Sequence, residues 1–196
     1  MNWLLAALIA MSPDAPNAVL LIAKPGMLDP NFRETVVLVT QTPDASTVGV
    51  ILNRPTARKH ETSGEALYEG GPVMREVVVA LFRAEREPQA AFHVVPGVYL
   101  SMHPENIDGL LAAPARSRRL FAGFAGWAPG QLQQELARDA WYVLPANMDL
   151  IFRNDTRNLW RELVDKAMGR VAMRRKEMPH FPGAVANQTS RGILVP

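Results

Sequence analysis

Few residues in this chain of 196 are placed to do chemistry. Asn53 and Arg54, in VILNRP, close a predicted strand, and a guanidinium there can clamp a carboxylate or phosphate through two parallel N–H groups. Gly70 and Gly71 in EGGP form one glycine loop. Trp127, Gly130, Gln131 and Glu135 belong to a second, GFAGWAPGQLQQEL, which runs from a predicted strand into a predicted helix. The first N–H groups of such a helix favour an anion. Glu135 is the candidate base if this stretch performs group transfer, with loop amides stabilising an oxyanion. Each residue also has a plainer reading. The glycines turn a strand into a helix while Trp127 covers the end of the sheet, Arg54 pairs with Glu69 or Glu135, and Asn53 makes a turn.

Beyond these the inventory is thin. There is no cysteine, which removes disulfides, thiol nucleophiles and thiolate metal sites. His60, His93, His103 and His180 show no metal-ligand spacing, and no metal or cofactor is expected. Ser63 and Ser101 lack a nucleophile elbow, and TSGEALYEGGP lacks the lysine of a phosphate-binding loop. Glu65 and Glu69 stand four apart on a polar stretch and read as solvated carboxylates. The net charge of +2 is too small to argue for nucleic acid. The clusters Arg116, Arg118, Arg119 and Arg174, Arg175, Lys176 read as solvated faces.

The elements that must position these residues follow from hydrophobic patterning. AVLLIA (18–23), RETVVLVT (33–40), TVGVIL (47–52), REVVVALF (75–82), GVYL (97–100), RRLFAGFAG (118–126), AWYVLP (140–145) and MDLIF (148–152) read as strands, the second and third as an antiparallel hairpin. Residues 53–72 read as a long polar loop with at most a helical turn, and RAEREPQAA as a charged connection. MHPENIDGLLAA (102–113) reads as a helix with Ser101 or His103 near its cap. Another helix starts with Pro129 at its first position, with Leu132 and Leu136 on one face. The clearest helix spans 154–176, capped by Asp155 or Thr156, with Leu159, Trp160, Leu163, Val164, Ala167, Met168 and Val171 as its core face. The sum is one α+β domain of many short strands and two or three helices, residues 19–176. Residues 177–196 read as a flexible tail. Residues 1–18 read as an N-terminal extension or a signal peptide, with an apolar run at Trp3–Met11 but no preceding basic residue, cut near Ala18. That run is too short to span a bilayer, and the compartment, cytoplasm or periplasm, turns on whether it is cleaved.

The ordered set DPNFRETVVLV, GVILNRP, GGPV, GVYLS, FAGWAPGQLQQEL and AWYVLPANMDLIF resembles the YqgE/AlgH family of bacterial proteins over roughly residues 20–168. The resemblance implies an α+β fold whose bifurcated, mainly antiparallel sheet forms a pseudo-barrel flanked by helices. It implies no established enzymatic activity, members being described as regulators of transcription. It also brings the two glycine loops close together. One departure is Phe82, where the family pattern leads one to expect His.

The expected function is a non-catalytic binding or regulatory domain whose surface of Asn53, Arg54, Gly70, Gly71, Trp127, Gly130, Gln131 and Glu135 takes a small anionic ligand or a protein partner. The alternatives are a hydrolase or transferase with Glu135 as base, and an envelope-associated interaction module. Direct DNA binding is disfavoured, since no helix-turn-helix with a basic recognition face is predicted.

Overall fold

The computed structural model describes residues 17–113 and 118–177, the last eight as backbone only. Among the described residues, ten strands curl into a half-barrel with four helices, an α+β fold. The strands are β1 (Ala18–Ala23), β2 (Val36–Gln41), β3 (Thr47–Ile51), β4 (Pro55–Lys59), β5 (Ala66–Glu69), β6 (Val73–Arg83), β7 (Phe92–Val95), β8 (Val98–Ser101), β9 (Arg118–Trp127) and β10 (Trp141–Pro145). The helices are α1 (Pro104–Ala112), α2 (Gln131–Ala137), α3 (Met148–Ile151) and α4 (Leu159–Glu177).

The main sheet runs β10-β1-β2-β3-β9-β6-β8-β7. The fork predicted by the resemblance lies at β9. One edge of β9 pairs with β6, while the other is shared by β3, antiparallel at Thr47–Gly49, and β5, parallel at Leu67–Glu69. The sheet curls until β7 meets β2, where the Thr40 hydroxyl donates to the His93 carbonyl at 2.8 Å.

Apolar runs without alternation fit strands buried on both faces. In β1, Leu20 and Ile22 point into the half-barrel, where α4 packs through Leu159, Leu163, Val164 and Ala167. Leu21 and Ala23 point outward, under Leu132 of α2. A third cluster joins Ile107 of α1 to Leu67, Phe82 and Leu120. Each leucine, isoleucine, valine and phenylalanine among them contributes about 1.5–3 kcal/mol on burial.

Several elements differ from expectation. The supposed loop 53–72 contains the hairpin β4–β5, invisible in the pattern because β4 is almost wholly exposed and offers no apolar alternation. β7 falls between the charged connection RAEREPQAA and GVYL, where no strand is expected. Residues 148–151 are helical, not extended, because the Asn147 side chain accepts the Leu150 N–H at 3.0 Å and caps a turn. Helix α2 begins after Pro129, with Gly130 as its cap at φ 83. Helix α4 begins at Leu159, and Met168 on its expected core face is 44% exposed. Helix α1 starts at Pro104 rather than 102, with His103, one of the two expected cap residues, at its N-cap. β1 begins at Ala18, so a cut after Ala18 would remove its first residue. The proposed tail beyond 177 and residues 1–16 lie outside the described residues.

Candidate functional site

The segment between β1 and β2, residues 24–35, connects the two halves of the expected surface. Asp29 organises its turn, accepting from the Asn31 N–H at 2.8 Å through its side chain and from the Phe32 and Arg33 N–H groups through its carbonyl. Arg54 then binds this turn from below: its guanidinium donates to the carbonyls of Asn31 (2.7 Å), Arg33 (3.2 Å) and Pro30 (3.3 Å) and lies 3.5 Å from the Glu69 carboxylate. Asn53 ties the same segment to β2, accepting from the Val36 N–H at 2.8 Å and donating to the Glu34 carbonyl at 2.9 Å. The expected pairing of Arg54 with Glu69 is present, and three carbonyls share the guanidinium with it.

The second half lies on the other side of that turn. The Phe32 ring stacks on Trp127 with centroids 5.5 Å apart and meets Trp141 edge-on at 5.6 Å. Glu135 anchors this aromatic cluster: its Oε2 accepts from the indole N–H of Trp127 at 3.1 Å and of Trp141 at 2.9 Å, and its Oε1 from the Gln131 amide at 3.4 Å. Gln131 also accepts the Ala128 N–H at 3.2 Å. Asn53 and Arg54 are therefore joined to Trp127, Gln131 and Glu135 by one short turn rather than by an open cleft.

Gly70 and Gly71 sit at the fork of the sheet. A Cβ on Gly70 would lie 2.0 Å from the Gly123 carbonyl oxygen, and one on Gly71 would lie 2.4 Å from the Phe124 carbonyl group. The Gly70 N–H donates to Ala122 of β9 at 3.0 Å, and its carbonyl accepts the Ile51 N–H at the end of β3 at 2.9 Å. These glycines let two backbones touch where β3 leaves β9 and β5 replaces it. Gly130 has open space around it and serves through its left-handed backbone alone.

The arginines 118 and 119 do not form the solvated face expected of them. Arg118 grips Glu65, its Nε donating at 3.0 Å, and this hydrogen bond holds the Glu65 carboxyl below its ordinary pKa. Arg119 is 8% exposed and has no carboxylate partner among the described residues. It donates to the carbonyls of Leu52 (2.8 Å) and Ile151 (3.0 Å) and lies over the Tyr68 ring at 4.1 Å. Burial lowers its pKa, with the Tyr68 phenol opposing the shift. Arg116 and the side chains of 174–176 lie outside the described residues.

Phe32, Trp141 and Arg119 are the contributors that sequence reasoning missed. Phe32 and Trp141 come from segments distant from Trp127. Arg119 carried one usable signal, its two-residue spacing from Phe121 in β9, which places both on the inner face of the half-barrel. Phe82, at the position expected to be His, is buried against Tyr99 with centroids 6.3 Å apart. A shallow cavity of about 80 Å³, lined by Leu144, Pro145, Asn147, Leu150 and Lys166, lies away from all eight candidates. It is far below the roughly 300–1,000 Å³ of a small-molecule pocket. No group of three His, Asp or Glu residues suited to a metal occurs among the described residues. No described helix is long and apolar enough to cross a membrane.

A forked, curled sheet wrapped around one long helix, with its fork sealed by glycines and its β1–β2 turn clamped by an arginine, defines an α+β half-barrel domain of the AlgH type. The chain belongs to the AlgH-like family (DUF179), whose model matches residues 20–172. Two relatives, both called UPF0301 proteins, come from Thermobifida fusca and Streptomyces coelicolor. The first is 33% identical over 83% of this chain and 92% of its own. The second is 35% identical over 79% of this chain and 88% of its own. Among solved structures, the solution structure of AlgH from Pseudomonas aeruginosa superposes with a TM-score of 0.64 at 23% identity, covering 87% of this chain and 98% of that one. The crystal structure of DIP2367 from Corynebacterium diphtheriae gives 0.60 at 26% identity, covering 90% and 94%.

Proposed function

We infer that the chain is a non-catalytic binding or regulatory domain that meets a protein partner on the surface around the Arg54-clamped turn. The observation that carries this reading is Leu28, 94% exposed just before the turn that Arg54 and the Phe32–Trp127 stack hold. An exposed apolar side chain beside a hydrogen-bonded turn offers contact area at a lower ordering cost on binding. Met74, 53% exposed, is the chain neighbour of Arg75, which donates to the Asn31 side chain of the same turn at 3.2 Å. Two non-glycine residues with positive φ border the patch, Glu34 at 58° and Met74 at 46°. Strain of this kind gathers at functional positions.

A small anion at Arg54 has less support, since the guanidinium already serves three carbonyls and Glu69. So does the hydrolase or transferase reading, since both Glu135 oxygens already accept hydrogen bonds. The test is a photo-crosslinking residue at Leu28 in native cells. A discrete adduct that disappears when Arg54→Ala is added, in a variant that keeps its circular dichroism spectrum, supports the reading. Crosslinking no greater than at an exposed control position such as Gln133 overturns it.

A further inference from the structure

Beyond β10, the side-chain hydrogen bonds of residues 147–168 stay mostly among themselves. Asn147 caps α3, Arg153 grips Glu162 at 2.6 and 2.9 Å, and Arg157 grips Asp155 at 3.0 and 2.8 Å. Among the described residues, two hydrogen bonds tie this unit to the sheet. The Trp160 indole donates to the Ala23 carbonyl at 2.7 Å, and Arg119 donates to the Ile151 carbonyl at the end of α3 at 3.0 Å. Arg83 also lies over the Phe152 ring at 4.9 Å. The remaining contact is apolar, through Ile151, Leu159, Leu163, Val164 and Ala167. The shallow cavity lies on the seam itself, between Leu144 and Pro145 of β10 and Asn147, Leu150 and Lys166 of the unit.

We propose that residues 147–168 are a hinged lid on the inner face of the half-barrel, swinging about Ala146 as one body, with Arg119 as its latch. The guanidinium holds both sides of the seam, since its other terminal nitrogen donates to Leu52 at the end of β3 at 2.8 Å. It is also buried and faces no carboxylate among the described residues. No opposite charge therefore offsets its loss of water, and opening the seam restores that water. The hydrogen bonds of Arg119 thus favour the closed form while its hydration favours the open one. Opening breaks the ties to Ile151 and Ala23 and uncovers Leu20 and Ile22 of β1. It leaves the ladders of the sheet intact, because no backbone pairing joins α3 or α4 to a strand.

Native-state hydrogen exchange of the full chain in low urea reads this motion directly. The Leu163, Val164 and Ala167 amides should share one opening, with a urea dependence that is measurable yet smaller than that of global unfolding. Arg119→Lys keeps the charge but cannot span two carbonyls with a planar fork. It should raise exchange at those three amides at least tenfold and leave the paired Leu38 and Val50 amides within twofold. Trp160→Phe removes the other tie without touching the barrel strands, and should raise the same three amides at least threefold. Exchange of the α4 amides only through global unfolding overturns the proposal. So does an Arg119→Lys effect that is equal in α4 and β2, which is what an arginine that merely fills the core would give.

Discussion

Trp127 and Trp141 donate their indole N–H groups to the same oxygen of Glu135, at 3.1 and 2.9 Å. Both rings are buried, so removing that oxygen leaves two buried donors unpaired, at about 1–3 kcal/mol each. Glu135→Ala should therefore lower the unfolding free energy by about 2–4 kcal/mol in urea titration. Glu135→Gln keeps an acceptor oxygen and should lose less than half as much. Equal losses for the two variants would show that the carboxylate charge, not the shared acceptor, matters.

Arg54 supports the turn through a planar fork that lysine cannot reproduce. Arg54→Lys should speed hydrogen exchange at the Phe32 and Arg33 amides at least tenfold. Amides of β1 and β2 should remain protected. Unchanged exchange in the turn would mean that Asp29 and Phe32 hold it without the guanidinium.

Gly70 and Gly109 offer a controlled contrast. A methyl group on Gly70 would meet the Gly123 carbonyl at 2.0 Å, whereas nothing lies within 4 Å of one on Gly109 in α1. Gly70→Ala should fail to fold or lose more than about 3 kcal/mol through backbone displacement. Gly109→Ala should gain about 0.5–1 kcal/mol from helix propensity. Thermal melts of the two variants decide the matter.

The Glu65–Arg118 pair predicts a pH dependence. Arg118 lowers the Glu65 pKa below its ordinary 4.5 in the folded protein, so the unfolded chain binds the proton more tightly. The pair's contribution is complete above that ordinary value and is lost as pH falls through the folded pKa. The stability difference between the native chain and Glu65→Gln, measured in urea, should hold steady from pH 7 to 5. It should shrink below pH 4.5. A difference that grows on acidification would reverse the sign and refute the assignment.

What could be read from the sequence depended on whether a residue's neighbours lie near it in the chain. β1, β2, β3 and β9 are continuous apolar runs, and such runs announce burial on their own. The β4 segment PTARK announces nothing, because its pairing with β5 is made by backbone groups that carry no side-chain signature. MDLIF reads as a strand until Asn147 is seen to cap it. Asn53, Arg54, Trp127 and Glu135 were singled out by type. Their coupling depends on Phe32 and Trp141, which only the folded chain brings together.

β9 also sets a timetable. The β1–β3 meander emerges from synthesis with apolar residues on both faces, and neither the strand that extends it nor the helices that cover it exist yet. At roughly 5–20 residues per second, several seconds separate the end of β3 from the arrival of Trp127. Through that interval the nascent chain displays an uncovered, uncharged sheet. The glycine-sealed fork is thus a late lock: this domain is committed to finishing after release of its last third, and its yield in the cell should depend on how well that early sheet is sheltered until then.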